Sequence, residues 1–225
     1  MNHPIPTLKT ERLTLRPLLI ADFPAYQHFM ASPRSIGVGG PYDLWKTWGV
    51  FCHDLANWYF FGHGALMIDL GMTGECIGQI GINHGPLFPE KELGWLLYDG
   101  HEGRGYAAEA AVAMRDWAFE TLSLPTLVSY VSPENSKSAA VAERIGGTLD
   151  PSAPRSDPKT SFIAITRPTR REKSGRLRTT RIHETSRTVL THFHFQEAGD
   201  CLRDLCMDGC AVPASPITAD ETFAR

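Results

Sequence analysis

The sequence predicts an α/β fold, a mixed and mostly antiparallel sheet flanked by helices, and three observations carry that expectation. Short stretches alternate apolar and polar residues with period two and meet at tight turns, as half-covered strands do. Two longer stretches, residues 44–58 and 107–118, repeat their apolar residues at helical spacing. Between the strands and the second of these helices lies Glu92-Leu93-Gly94-Trp95-Leu96-Leu97-Tyr98-Asp99-Gly100-His101-Glu102-Gly103-Arg104-Gly105-Tyr106-Ala107-Ala108-Glu109-Ala110. It reads as an apolar strand, a turn with three glycines, and the opening of a helix.

Leu13 and Leu15 alternate with Arg12, Thr14 and Arg16 in a first strand that Pro17 ends. Asp22 is the expected cap of a helix through Phe23, Tyr26, Phe29 and Met30, with Pro24 in its first turn. Ser32-Pro33 and the glycines 37, 39 and 40 break the chain into a loop. Leu44, Trp45, Trp48, Phe51, Cys52, Leu55 and Trp58 then form a helical stripe, expected to face the core. The alternative is a pocket in which Tyr42, Trp45 or Trp48 stacks on an amine. Residues 65–70 and 76–82 read as a hairpin closed by Gly71-Met72-Thr73-Gly74.

After the glycine turn, Ala107, Ala110, Ala111, Met114, Trp117 and Ala118 line one helix face, with Glu109, Arg115, Asp116 and Glu120 elsewhere. A strand follows at residues 127–131. The next helix begins near Asn135 and ends at Gly146-Gly147, and Thr148-Leu149 opens another strand. A proline-rich loop leads to Phe162-Ile163-Ala164-Ile165, which reads as the last strand.

At 225 residues, 42% of them hydrophobic, the chain can hold one large domain or one domain with an appendage. It has no apolar run long enough for a membrane span and no amino-terminal signal pattern, so a cytoplasmic protein with no membrane partner is expected. Five scattered cysteines argue against a disulfide framework, and Cys201, Cys206 and Cys210 lack the paired spacing of common zinc sites, so no metal is expected. Up to Pro158 there are 11 basic against 17 acidic residues, and beyond it 11 against 8. The acidic body suits a cationic amine, although a solvated acidic surface explains it as simply. The basic segment has little apolar periodicity, which describes a chain unable to bury enough surface to fold. A nucleic-acid arm is the other reading of that charge run, and nucleic acid is not the expected partner.

The glycine turn is where chemistry enters. Glycines let backbone approach a ligand, and the first N–H groups of a helix point outward at the positive end of its dipole, which makes an anion site. Gly103-x-Gly105-x-x-Ala108 satisfies a loose dinucleotide pattern, leaving a nicotinamide-dependent oxidoreductase as one alternative, but the next strand offers only Glu134, after a proline, to hold a ribose. Glu102-Gly103-Arg104-Gly105-Tyr106-Ala107 resembles motif A of the GNAT acetyl-CoA-dependent N-acetyltransferases, Gln/Arg-x-x-Gly-x-Gly/Ala, with Glu102 a departure at the first position. The stretch from Asn135 to Gly147 resembles the family's Asn-x-x-Ser helix. Leu8-Lys9-Thr10-Glu11-Arg12-Leu13-Thr14-Leu15-Arg16-Pro17 resembles the opening strand of the RimJ/RimL branch, which acetylates ribosomal-protein amino termini.

The resemblance implies a GNAT domain over residues 1–166 with a splayed central parallel strand pair, and acetyl transfer from acetyl-CoA to a primary amine, small molecule or protein N-terminus, in a monomer or homodimer. It implies that Trp95 and Leu97 pair with pantetheine, and that Gly103, Gly105, Ala107 and Ala108 hold the diphosphate with Arg104 alongside. Asn135 would touch the pantetheine arm. Glu92 is the expected general base, with Asp69, Glu75, His84 and Glu90 in reserve, and Ser138 the expected proton donor to the thiolate. The position of the family's usual tyrosine donor matches Ala142, which with Glu102 leaves a non-catalytic acyl-CoA binder as an alternative. The helix and loop after the first strand would form part of the acceptor wall. Codons for residues 159–166 can be chosen so that a neighbouring frame reads Glu-Asp-Leu-Leu-Tyr-Arg-His-His, resembling the family's closing strand. Residues 167–225 are therefore expected to be a disordered or frame-shifted tail.

Overall fold

The computed structural model describes residues 4–151 and 161–166. The expectations for the tail, for the proline-rich loop after Pro151 and for Cys201, Cys206 and Cys210 lie outside the described residues. Among the described residues eight strands form one sheet: β1 (Leu8–Lys9), β2 (Leu13–Arg16), β3 (Ala65–Leu70), β4 (Cys76–Asn83), β5 (Glu92–Leu97), β6 (Leu127–Val131), β7 (Gly147–Leu149) and β8 (Ser161–Ile165). Their spatial order is β1-β2-β3-β4-β5-β6-β8-β7. Each described pair is antiparallel except β5 with β6. That parallel pair is joined by the crossover helix α3 (Tyr106–Thr121), since parallel neighbours need a long connection.

Helices cover both faces of the sheet. On one, Ala110, Ala111, Met114 and Ala118 of α3 pack with Leu13, Leu15, Ile68, Ile80, Ile82 and Leu93. On the other, Tyr26, Phe29 and Met30 of α1 (Phe23–Met30) and Phe51 of α2 (Leu44–Phe61) pack with Ala65, Met67 and Leu96. Along β5, Leu93 therefore faces α3 and Leu96 faces α1 and α2, which assigns the strand's alternate residues to the two layers.

Three local expectations are corrected. Asp22 stands at the start of α1 but makes no side-chain cap. Its carboxylate accepts from both ends of the Arg16 guanidinium, at 2.8 and 2.7 Å, and from the Leu19 N–H at 2.8 Å, because a charged donor outbids a lone amide. The stripe on α2 is only partly core. Phe51 and Trp58 are buried, whereas Trp45 is 85% exposed and Leu44, Trp48, Cys52 and Leu55 also face outward. The buried face instead carries Thr47, Asp54 and Asn57. Arg115, placed by spacing on the polar face of α3, is 2% exposed. Its guanidinium donates to the Ile145 carbonyl and to Asp116, satisfying an orphan carbonyl where α4 (Ser136–Arg144) ends.

Candidate functional site

The amino end of α3 leaves a run of backbone donors uncapped beside the sheet. Gly105 is its N-cap residue, held at φ 82°, and no side chain caps the helix. The first-turn N–H groups of Gly105, Tyr106, Ala107 and Ala108 have no intrahelical partners. Glu109, the acid in that first turn, is drawn away from them. It accepts from the Thr10 hydroxyl at 2.5 Å, the Arg12 N–H at 2.9 Å and Arg12 Nε at 2.7 Å. Burial raises the Glu109 pKa, but the Thr10 hydroxyl and the Arg12 donors outweigh it and leave it below the usual glutamate value. The guanidinium also lies 4.7 Å from the Tyr106 ring centre and donates to the Arg104 carbonyl at 3.0 Å. Thr10 and Arg12, from the opening strand motif, thus clamp the glycine turn from behind and leave its amides facing out.

Beside this turn the sheet comes apart. Among the described residues, β5 and β6 are in register at Glu92↔Val128, with the Val128 N–H bonded to the Lys91 carbonyl at 3.0 Å. One step further on, the Ser129 hydroxyl reaches the Leu93 carbonyl at 2.7 Å, a side chain standing where a ladder bond would be. The parted strands open into a cavity of about 750 Å³. Its lining includes Trp95, Leu97, Gly103, Gly105, Ala107, Ala108, Asn135 and Ser138, so eight of the ten residues singled out in the sequence meet there. Nothing lies within 4 Å of a side-chain carbon built on Gly103, and the Asn135 side chain caps α4 through the Ser138 N–H at 3.0 Å. A strand edge, bare helical amides and open room suit an elongated ligand with a phosphate at one end.

Glu92 and Arg104 do not line this cavity. Arg104 is exposed, with its carbonyl taken by Arg12. Glu92 sits where the two strands are still paired, on the same face of β5 as Leu96. Its carboxylate accepts from Asn83 Nδ2 at 3.2 Å and from the Tyr130 N–H. Burial raises its pKa, and these two donors only partly offset that. Among the reserve bases, Asp69 is tied to Arg16 Nε at 2.6 Å and Glu75 lies 3.4 Å from His101. Burial lowers the pKa of His84. No group of three His, Cys, Asp or Glu among the described residues is placed to hold a metal ion. No helix there is long and apolar enough to cross a membrane.

Residues 12–148 match the acetyltransferase (GNAT) domain model. This chain belongs to the GNAT acetyltransferase family. A crystal structure of an acetyltransferase from Agrobacterium tumefaciens str. C58 is 83% identical, with a TM-score of 0.72, over 74% of this chain and 98% of that one. The uncharacterized protein YkkB of Bacillus subtilis (strain 168) is 37% identical over 76 residues, which span 33% of this chain and 44% of YkkB, less than half its length. The aminoglycoside acetyltransferase AAC(6')-Ib in complex with coenzyme A shares the fold, with a TM-score of 0.58 at 15% identity over 69% of this chain and 95% of that one. The mixed sheet with one parallel pair is the GNAT fold.

Two departures from the GNAT pattern take on a shape in this structure. Ala142, matched to the family's tyrosine, is fully buried with Val131 and Ile163, so no donor at that position would face the cavity. The cavity face of α4 is instead Lys137, Ser138, Ala140, Val141 and Arg144. Glu102, at the first fingerprint position, lines the cavity and is ion-paired with Arg34, which reaches it from the 3-10 segment Pro33–Val38. Sequence reading did not single out Arg34. Its one signal was being the only Lys or Arg between Arg16 and Lys46.

Proposed function

We propose that this chain transfers the acetyl group of acetyl-CoA to a primary amine by direct attack in a ternary complex, and that it is of the RimJ/RimL type. The observation that carries the proposal is that bare amides at the start of α3 and the unpaired edge of β5 open into one cavity with Ser138. The diphosphate would dock on the N–H groups of Gly103, Gly105, Ala107 and Ala108. Pantetheine would pair along Trp95 and Leu97 as an added strand, with Asn135 against the arm. That pairing holds the thioester carbonyl against fixed donors, where charge grows during attack.

Glu92 takes the proton of the incoming ammonium, through water because its carboxylate is not among the groups that line the cavity. Its raised pKa brings it nearer to the amine's and makes it a stronger base than an exposed glutamate. The amine nitrogen bonds to the carbonyl carbon and the carbon–sulfur bond breaks; Ser138 gives its proton to the leaving thiolate and takes the nitrogen's second proton in its place. The acceptor is a protein amino terminus or a small amine, entering along the α1–α2 wall. The protein works in the cytoplasm as a monomer or homodimer. A second reading, an acyl-CoA binder without turnover, is favoured by Ala142 lying in the core.

Thermal shifts with acetyl-CoA, desulfo-CoA and NAD separate the classes: stabilisation by the two coenzyme A ligands is expected, and stabilisation by NAD alone would overturn the proposal. Release of free thiol with a panel of primary amines then divides enzyme from binder. Silence across peptides and small amines alike would favour the binder.

A further inference from the structure

Glu102 puts a negative charge where the family fingerprint has Gln or Arg, on the wall of the cavity that would hold a diphosphate. Left alone it would repel that ligand. It is not alone. Arg34 pairs with Glu102, lies 2.5 Å from the exposed Asp99 carboxylate, and donates from Nη2 to the Leu97 carbonyl at 3.2 Å. Its guanidinium also sits 5.8 Å from the Phe29 ring centre. Arg34 therefore bridges the two parts of the site, joining the glycine turn to the edge of β5. The Leu97 carbonyl is a backbone group that an added pantetheine strand would use. The segment carrying Arg34 also reaches across the cavity, since a side-chain carbon on Gly37 would come within 2.7 Å of Asn135 Nδ2.

We propose that Arg34 is a cofactor-binding residue that replaces the fingerprint side chain missing at position 102. Glu102, Asp99 and the Leu97 carbonyl hold it at the cavity mouth, and acetyl-CoA exchanges those contacts for its own. Pantetheine takes the Leu97 carbonyl, and the released guanidinium turns onto the diphosphate, where a planar cation binds paired phosphate oxygens better than an exposed carboxylate. Because Arg34 comes from the segment after α1, its pairing with the cofactor would also fix that segment beside the acceptor wall. This rests on the acetyl-CoA reading above and deepens it.

The test compares acetyl-CoA with acetyl-pantetheine, which has the arm and no diphosphate, by calorimetric titration of the full chain. Arg34→Gln should weaken acetyl-CoA about tenfold, as expected for losing one charge-assisted pair. It should leave acetyl-pantetheine unchanged or tighter, because the Leu97 carbonyl is released. Glu102→Gln should tighten acetyl-CoA severalfold. Equal weakening of both ligands in Arg34→Gln would mark a structural role and overturn the proposal, as would an unchanged acetyl-CoA affinity in both variants. A wild-type chain that binds neither ligand would overturn the acetyl-CoA reading itself, and this proposal with it.

Discussion

Two loops face each other across the cavity and are held in opposite ways. The glycine turn is fastened from behind, where Thr10 and Arg12 grip Glu109 and the Arg104 carbonyl, and none of those contacts lies where a ligand would sit. The Pro33–Val38 segment is fastened from in front, by Arg34 reaching over the opening to Glu102 and Leu97. The difference separates two tasks. Amides that serve an anion must already point the right way, because reorienting them on binding would cost the energy they supply. A wall that admits a long ligand needs contacts the ligand can exchange.

Substitutions on the two sides should therefore fail differently. The largest effect is expected from Gly105→Asp, which adds a negative charge at the residue that opens α3 and lines the cavity. Asp tolerates the left-handed backbone there better than most residues, and its nearest neighbour would be Arg12 Nη2 at 3.5 Å, so the fold should survive. Acetyl-CoA affinity should fall about a thousandfold by like-charge repulsion and crowding, with far-ultraviolet circular dichroism unchanged. Equal affinity would place the phosphates elsewhere. Glu92→Gln should next lower kcat about a hundredfold with little change in acetyl-CoA affinity, as loss of a general base does. Its pH profile sharpens the point. The protonated carboxyl cannot accept a proton, so the wild-type rate should climb as pH rises through the raised Glu92 pKa, and the variant should lose that limb.

Ser138→Ala should cost about tenfold in kcat and little in binding, because water can partly replace a hydroxyl donor. An unchanged rate would return Ser138 to a helix-end role. The smallest effect is expected behind the turn. Glu109→Ala should lower stability by about 1–2 kcal/mol, since two of its donors belong to a partly exposed arginine. The sign with pH follows from the depressed Glu109 pKa. Its stabilising contribution is present above the unfolded value, about 4.3, and is lost as pH falls through the folded one, so acid should narrow the gap between wild type and variant in chemical denaturation.

Much of this architecture was legible in the sequence because local rules and tertiary fold agree there. Leu13 and Leu15 alternate, and both are buried on β2. The strand–glycine–helix unit was readable because its glycines and missing cap are themselves sequence features. The failures share a cause. Spacing shows that α2 is a helix, but with apolar residues around most of it the pattern does not say which face turns inward. The buried face proves to carry Asp54, whose pKa burial raises, and Trp45 lies outside. Asp22, Arg115 and Arg34 were misjudged or missed because each is placed by a partner that local propensity does not see: Arg16, the Ile145 carbonyl and Glu102. A charge in a sequence declares itself, but its counter-charge is found only in the fold.

The central claim is that a coenzyme diphosphate docks on the bare amides where the glycine turn enters α3. A crystal structure with bound acetyl-CoA tests it most directly. Diphosphate oxygens within hydrogen-bonding distance of the Gly105 and Ala107 N–H groups are the expected result. Acetyl-CoA bound with its phosphates away from that turn, or the turn's amides occupied by this protein's own side chains, would contradict it.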